Sequence, residues 1–343
     1  MNKKQLKSLE GEFSGTGKTG PLLVSTISEW YDAKHRDPSK EEIALINSVT
    51  PEACPYCGSP RLSKDGFQKM TGIRVYRCRA CGRKFGPLTG TVFDSRKIPI
   101  SEWVEFLVHL FEFHSVATSA EDNRNADSTG RYWLNKVFLV LGDYQEGASF
   151  SDAVWIDEAY VPVWKSEKAK GGGKDLRGLS RNQCCIMTAT DGRKCWLKVS
   201  GFGKPSEKKK AAYSDVLSGV REVIHDGEKA HGAVLERLGC RSVVIDPRAW
   251  KGKPDKCNPM EPVNEVHRYL KGFLRCHRGY SRRNLQDWLN LFCFIWNEGG
   301  TKAQKTQKFI EKAIKTRALL RFRGQKDAMA ARKQRTKPSL TCN

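Results

Sequence analysis

Two aspartates and one later helix hold the residue types that could carry out chemistry in this chain. Asp157 belongs to an apolar strand predicted over residues 154–161, and we expect it at the end of that strand. Burying a carboxylate there is costly unless a cation compensates it. Asp226 precedes Gly227 at the exit of a second, shorter strand. Two such carboxylates and a third oxygen ligand can hold two Mg²⁺ or Mn²⁺ ions over a phosphodiester.

The third ligand is predicted on a helix that begins near Pro262 and offers two neighbouring candidates, Asn264 and Glu265. Residues seven apart return to nearly the same helix face, about 20° short of two full turns, so Asn264 shares a face with Lys271. Glu265 is rotated from that face by about 100°. Helix geometry therefore selects Asn264, although its neutral amide would hold a second Mg²⁺ less tightly than a carboxylate. Lys271 would then contact a phosphate close to the scissile bond.

Asp246 is an open alternative to Asp226 as the second ligand. It follows the apolar residues 243–245 and therefore also places an acid at a strand end. Only 17 residues separate it from Asn264. We keep Asp226 as the second ligand and Asp246 as its main competitor.

Four of the twelve cysteines form two close pairs, with 20 residues between the pairs. The paired residues are Cys54 with Cys57 and Cys78 with Cys81. This spacing is typical of a zinc ribbon, in which two tight turns present four thiolates to one tetrahedral Zn²⁺. Four protein ligands close the coordination sphere, so we predict a structural zinc. The basic residues around the second pair are expected to face DNA, or else only to keep the ribbon soluble.

The charge of the chain is strongly basic and unevenly spread. The 343 residues carry a net charge of +22, and residues 301–343 alone hold 13 Lys or Arg against 2 Asp or Glu, which is +11. Such an excess predicts a polyanionic partner, most simply nucleic acid, and the alternative is a solvated tail without a partner.

No apolar run approaches the roughly 18 residues of a membrane span, so no membrane partner is expected. Cysteines scattered without a disulfide pattern favour the reducing cytoplasm.

Changes of pattern along the chain predict five segments. They are a polar N-terminal segment with a helical patch over 1–50, the zinc ribbon over 51–94, a helical module of helix-turn-helix type over 95–147, an α/β domain over 148–298 and a basic tail over 299–343. The helical module is predicted to contain helices over 101–115, with Ser101 as N-cap, and over 130–141. The glycine run at 171–173 lacks the Lys-Ser/Thr of a phosphate loop, so the basic stretch 165–178 is predicted to be a mobile DNA-contacting loop.

The α/β domain has the order of elements of a ribonuclease-H-like fold, a mixed sheet in which three antiparallel strands precede alternating helices and strands. The strands are predicted over 154–161, 183–189, 194–199, 222–225 and 242–245, and the helices over 214–221, 230–238, 263–276 and 283–296. Both Asp157 and Asp226 belong to strands of this domain, and Asn264 belongs to one of its helices.

Six segments together resemble the bacterial insertion-sequence transposases related to eukaryotic Merlin elements. The segments are 85–93, 155–161, 177–180, 225–227, 264–271 and 278–286, and the resemblance covers about residues 50 to 297. In that family two Asp are followed by Glu or Asn and by a Lys seven residues later. The resemblance therefore implies Asp157, Asp226, Asn264 and Lys271 as the site.

The resemblance implies hydrolysis of phosphodiester bonds at the ends of a mobile element, followed by strand transfer into target DNA. Its partners would be double-stranded DNA, as terminal repeats and as target, and further copies of this chain, since the reaction joins two DNA ends. Two other functions remain as alternatives. One is a DNA-binding regulator, such as a domesticated transposase weakened by Asn264, and the other is a ribonuclease-H-like structure-specific nuclease.

Overall fold

The computed structural model describes residues 38–94, 98–163, 167–168, 170–171, 174–176, 179–203, 211–254, 257–277 and 280–322. Most of the predicted N-terminal segment, much of the basic loop 165–178 and the end of the basic tail lie outside these residues. So do Arg177, Gly178, Arg278 and Gly279, which contribute to the family resemblance. The chain divides into two compact units: unit 1 comprises Met1–Val140 and Gly300–Asn343, and unit 2 comprises Leu141–Gly299. The five-segment division stays a prediction.

The described part of unit 1 begins with a short helix and a small antiparallel sheet. Helix α1 spans Lys40–Ser48, and the Ser39 hydroxyl caps it by accepting a 3.1 Å hydrogen bond from the Glu42 backbone N–H. The sheet has the order β1-β2-β3, with β1 at Leu62–Phe67, β2 at Arg74–Cys78 and β3 at Lys84–Phe85. Its apolar core is confined to Cys54, Leu62, Tyr76, Cys78 and Phe85. Such a core is too small to stabilise a sheet by burial alone.

Three helices follow, α2 at Ser101–Phe111, α3 at Val116–Asp122 and α4 at Asp127–Val140. The prediction that Ser101 is the N-cap of α2 is wrong, because Ser101 is already helical and Ile100 holds the cap position without a side-chain bond. The buried Glu42 carboxylate replaces a local cap by accepting the backbone N–H groups of Ile100 and Ser101, at 2.9 and 3.1 Å. Helix α3 was not predicted, since its residues carry no apolar stripe.

Unit 2 is built on a five-stranded mixed sheet of order β10-β9-β4-β7-β8. Its strands are β4 at Ala153–Pro162, β7 at Gln183–Thr190, β8 at Cys195–Phe202, β9 at Glu222–His225 and β10 at Arg241–Val244, while β5 at Lys170–Gly171 and β6 at Lys174–Asp175 form a separate pair. Strands β4, β7 and β8 pair antiparallel, whereas β9 runs parallel to both β4 and β10. The predicted mixed α/β class is confirmed.

Two helices connect the later strands, α5 at Ser214–Leu217 and α6 at Lys229–Leu238. Helix α5 is shorter than the prediction of 214–221, because Ser218 is extended and Gly219 adopts a left-handed φ of 84°. Left-handed backbone is the conformation that glycine allows most readily and that ends a helix.

The position of Asp157 within its strand differs from the prediction. It is the fifth of ten residues in β4 rather than the last. Strand β4 continues to Pro162 because β7 pairs with it along that whole length, up to the pair of Pro162 with Gln183. The ladder with β9, by contrast, ends at Trp155 opposite Ile224. Asp157 therefore lies just beyond the end of the parallel ladder, where the sheet edge opens.

Helices α7 at Glu261–Cys276 and α8 at Leu285–Asn297 complete unit 2, with α7 packed on β4 and β7 and α8 on β8. Helix α9 at Lys302–Lys315 belongs to unit 1 and packs on α2. It lies in the predicted basic tail, but its buried face carries Phe309 and Ile314, so this part of the tail is an amphipathic helix. No helix in the described part of the chain combines the length and the apolar character that a membrane crossing needs.

Candidate active site

A cleft of about 490 Å³ in unit 2 brings together Asp157, Asp226 and Asn264. The register between β4 and β9 explains why the two aspartates meet. Trp155 pairs with Ile224 on parallel strands, and two further residues along each chain reach Asp157 and Asp226. Neighbouring strands lie about 4.8 Å apart, and residues two apart face the same side, so the carboxylates emerge side by side.

Backbone geometry at Gly227 keeps Asp226 at the mouth of the cleft. Gly227 has a φ of 82°, and a Cβ added there would come within 2.7 Å of Val244. Only glycine is accommodated at this position without strain or clash. The Asp226 carboxylate also accepts the Glu228 backbone N–H at 3.1 Å, which fixes the turn that follows the strand.

Asn264 lies on helix α7 and lines the same cleft. The Trp155 indole N–H donates a 2.8 Å hydrogen bond to the Pro259 carbonyl and so ties the start of the helix to β4. Asn264 is half-buried, and its backbone N–H bonds the Met260 carbonyl at 3.0 Å. Among the described residues, the cleft lining does not include Glu265 or Lys271. Lys271 is exposed further along the helix, and Glu265 is half-buried.

Asp246, the competitor for the second ligand position, is engaged elsewhere. Its carboxylate caps the following turn by accepting the Arg248 backbone N–H at 3.0 Å, and it receives the Arg248 guanidinium at the same distance. The described lining of the cleft contains Arg248 but not Asp246. The structure thus brings Asp226, and not Asp246, together with Asp157 and Asn264.

A buried histidine from α7 lies close to Asp157. His267 Nδ1 lies 3.8 Å from the Asp157 carboxylate, and its Nε2 lies 2.9 Å from the Thr188 hydroxyl. Thr188 is the β7 partner of Asp157. Burial and the charge of Lys271 lower the pKa of His267 to about 4, so this imidazole is neutral near pH 7.

A second buried network lies behind the aspartates. Glu158 alternates to the other face of β4, where its carboxylate lies 2.9 Å from His231 Nε2 and 3.2 Å from the Tyr213 hydroxyl. His231 Nδ1 lies 3.6 Å from the Asp226 carboxylate, and the Tyr213 hydroxyl lies 3.0 Å from the Asp157 carbonyl. Both site aspartates are therefore positioned through one Glu-His-Tyr cluster, in the way that outer groups orient metal ligands.

The two aspartates titrate in opposite directions. Burial, together with the negative charges of Asp226 and Glu158, raises the pKa of Asp157 to about 7. The interaction with the nearby His231 imidazole lowers the pKa of Asp226 to about 2. A divergence of this kind between neighbouring acids is characteristic of functional sites. Two carboxylate groups and an amide oxygen are hard oxygen donors, so the residues present fit Mg²⁺ or Mn²⁺.

The raised pKa of Asp157 predicts a pH dependence of stability in metal-free protein. Between 3.8 and about 7 the folded state retains a proton on Asp157 that the unfolded chain has released. The free energy of unfolding contributed by Asp157 therefore falls as pH rises through this window. Asp157→Asn should remove the fall, so the variant gains stability relative to the wild type up to about pH 7. Urea unfolding of both proteins at several pH values measures the difference, and a constant difference would contradict the prediction.

The four predicted zinc ligands also lie together, in unit 1. Cys54 Sγ is 3.7 Å from Cys81 Sγ, and Cys57 Sγ is 3.6 Å from Cys78 Sγ. Tetrahedral zinc with Zn–S bonds of about 2.3 Å separates its sulfurs by about 3.8 Å. The cluster fits a zinc ion, and its four sulfurs leave no open coordination position.

Several residues of the cleft and its surroundings were not predicted. Arg248, Trp250 and Lys251 line the cleft, and His267, Glu158 and His231 support the aspartates. For His267 a signal existed, since it lies three residues after Asn264 and four before Lys271 on the same helix face. Glu158 and His231 are in contact although they lie 73 positions apart, and no local sequence pattern predicts this contact.

Comparisons with known proteins give distant similarities only. No model of a known protein family and no curated protein matches the chain. Among solved structures, a pre-cleavage Mos1 transpososome is similar at 10% identity and a TM-score of 0.25, over 67% of this chain and 78% of that chain. A Mos1 transposase paired-end complex with left transposon end is similar at 10% identity and a TM-score of 0.27, over 68% and 78%. Similarity at this level does not establish a common activity.

Proposed function

We propose that this protein is a metal-dependent DNA transposase of the bacterial insertion-sequence type, with a ribonuclease-H-like catalytic domain in unit 2. The observation that carries the proposal is the meeting of Asp157, Asp226 and Asn264 in one cleft. The strand order of the sheet, three antiparallel strands followed by two parallel ones, supports the ribonuclease-H-like assignment. The net charge of +22 supports a nucleic-acid substrate.

In this proposal Asp157, Asp226 and Asn264 would hold divalent metal ions at the scissile phosphodiester. Bound Mg²⁺ or Mn²⁺ would supply stabilisation of the attacking and leaving oxygens during in-line displacement. A water first attacks phosphorus at the end of the element, which breaks one P–O bond and frees a 3′-hydroxyl. That hydroxyl then attacks a target phosphodiester, and the new P–O bond forms as the target's own P–O3′ bond breaks and leaves a target 3′-hydroxyl. Neither step requires a covalent protein intermediate.

Cationic side chains at the cleft would bind the phosphates of the DNA backbone and position the strand. Arg248 and Lys251 line the cleft beside the aspartates, so they can contact phosphate oxygens next to the scissile bond. Lys271, exposed on the face of α7 that carries Asn264, would contact a phosphate further from the aspartates. These contacts position the strand without reading its sequence.

Recognition of the terminal repeats is assigned to unit 1 in this proposal. The zinc ribbon and the helical module would bind the repeats, while the basic loop and tail hold phosphates of both repeat and target. A homo-oligomer is expected because transposition holds two DNA ends together. A regulator that binds the same repeats without cutting is the second candidate, and the neutral Asn264 favours it.

The choice of Asn264 over Glu265 gives a direct test of the site. Asn264→Ala should lower strand transfer at least about tenfold, because it removes an oxygen ligand from the cleft. Glu265→Ala should change the rate little, since Glu265 does not line the cleft. Transfer of labelled repeat DNA into a plasmid, measured across a Mg²⁺ titration, compares the two variants. A greater loss from Glu265→Ala would contradict the assignment.

Substrate choice separates the proposal from the two rival activities. A transposase should cut and join DNA that carries the terminal repeats. A regulator should bind the repeats and leave them intact with either Mg²⁺ or Mn²⁺. A structure-specific nuclease should cut branched or hybrid substrates without the repeats and should give no joined product.

A further inference from the structure

Three possible metal ligands lie together where helices α2 and α3 meet in unit 1. They are His109 near the end of α2, His114 in the turn and Asp122 at the end of α3. His109 Nδ1 lies 3.3 Å from Asp122 Oδ2, and His114 Nδ1 lies 3.9 Å from the same oxygen. The three ligand atoms all lie within 4.8 Å of one another.

These separations match one metal coordination sphere. Zinc bound to nitrogen or carboxylate oxygen at about 2.0 to 2.1 Å in tetrahedral geometry separates its ligands by about 3.4 Å. The 3.3 Å distance from His109 to Asp122 equals that edge, and the 3.9 Å distance from His114 is slightly longer. In the four-cysteine cluster of the same unit, the sulfur–sulfur distances of 3.7 and 3.6 Å likewise fit a tetrahedral site for those larger donor atoms.

An ordinary His–Asp hydrogen bond does not account for the arrangement. His109 Nδ1 is buried, and among the described residues it has no hydrogen-bond partner, although the Asp122 oxygen is only 3.3 Å away. The oxygen thus lies off the direction in which an N–H on Nδ1 would point. A cation bound by both atoms would satisfy a buried nitrogen that otherwise carries a desolvation cost.

The backbone between the two histidines adopts an unfavourable conformation that places His114 beside His109. Phe113 has a φ of 67°, in the left-handed region where glycine is usual at the end of a helix. The His114 backbone N–H bonds the His109 carbonyl at 3.1 Å, which closes the turn and sets the ring centroids 5.1 Å apart. Non-glycine residues with left-handed backbone conformation cluster at functional sites.

The end of α3 that carries Asp122 is anchored to α2 through the next residue. Asn123, next to Asp122, is buried, and its side-chain amide donates to the Glu102 carbonyl at 2.6 Å and to the Glu105 carboxylate at 3.1 Å. These bonds fix the end of α3 against α2, one turn from His109. The nearby Glu112 carboxylate forms a 2.8 Å ion pair with the Lys302 ammonium and is therefore not a proposed ligand.

We propose that His109, His114 and Asp122 form a second metal site in unit 1, for a divalent transition-metal ion of the zinc type. Two imidazoles and one carboxylate select Zn²⁺, Co²⁺ or Ni²⁺ over Mg²⁺, which prefers oxygen ligands alone. Three protein ligands leave a position open for water. Such an ion joins the ends of α2 and α3 and is independent of the proposed DNA cleavage in unit 2.

Metal content of the full chain tests this site. The protein is dialysed against slightly more than two equivalents of Zn²⁺ in a large excess of Mg²⁺, which competes for the proposed carboxylate site of unit 2, and bound zinc is counted by mass spectrometry. The exposed ligands are changed in His114→Ala and Asp122→Asn, with Asp127→Asn as the matched control and Cys78→Ser to remove the ribbon zinc. Circular dichroism checks that each variant is folded.

The wild type and Asp127→Asn should each hold two zinc ions. His114→Ala and Asp122→Asn should keep only the ribbon ion, with affinity at the second site reduced by at least about 100-fold. Co²⁺ bound to Cys78→Ser should show visible bands from nitrogen and oxygen ligands, and these bands should be absent from the spectrum when His114→Ala is added. A wild type with one zinc, or a second zinc that persists in both ligand variants, would overturn the proposal.

Discussion

Replacing Asp157 with alanine is expected to abolish metal-dependent DNA cleavage while sparing DNA binding. The carboxylate lies beside Asp226 in the cleft, and its loss would remove one of the residues that would hold the metal. Stabilisation by such ions is worth several kcal/mol, so the cleavage rate should fall at least about 1,000-fold. Binding depends on basic side chains outside this pair and should remain. Cleavage of end-labelled repeat DNA and a gel-shift titration on the same samples measure the two quantities.

Asp246→Ala is the matched control for this experiment. Asp246 is also an acid at a strand end, but its carboxylate pairs with Arg248 and is not part of the described lining of the cleft. Its replacement should leave most of the activity. Loss of cleavage in Asp246→Ala together with retained cleavage in Asp226→Ala would reverse the assignment of the second ligand.

Loss of one zinc ligand is expected to unfold the ribbon of unit 1. Five residues make up its whole apolar core, two of them the cysteines Cys54 and Cys78. Binding of a structural zinc contributes about 10 to 16 kcal/mol, far more than burial of so small a core. Cys78→Ser should therefore abolish hydrogen-exchange protection across β1, β2 and β3 and remove specific binding to the terminal repeats.

Cys257→Ser provides the control, because Cys257 is exposed and lies outside the four-cysteine cluster. It should bind zinc and DNA like the wild type. Full protection of the ribbon strands in zinc-depleted Cys78→Ser would contradict a structural role for the ion. Protection in unit 2 should be unchanged in both variants.

Local patterns in the sequence were sufficient to predict the parts of the fold that depend on local chemistry. The strand around Asp157 and the helix around Asn264 follow from their apolar periodicity, and the cysteine spacing predicts the four-sulfur cluster. Asp157 and Asp226 meet because their strands pair in parallel, with a register that the ends of the strands do not reveal.

Contacts between distant segments explain what was missed. The start of α2 is capped by Glu42, which lies 58 residues before Ile100, so no local residue marks the cap. Glu158 follows Asp157 directly, yet alternation along β4 sends it to the other face and to His231. Asp157 was expected at the end of its strand because its carboxylate interrupts an apolar run, whereas β4 continues past it in its pairing with β7.

Transposase activity is tested by incubating the purified chain with the DNA that flanks its own gene, a supercoiled target plasmid and Mn²⁺. We expect cleavage at the ends of the element and joined products in which a 3′ end is linked to target DNA, both absent when the metal is chelated. Sequencing of the joints should locate one fixed end in every product. Tight binding to the flanking DNA without cleavage in either Mg²⁺ or Mn²⁺ would contradict the assignment of transposase activity.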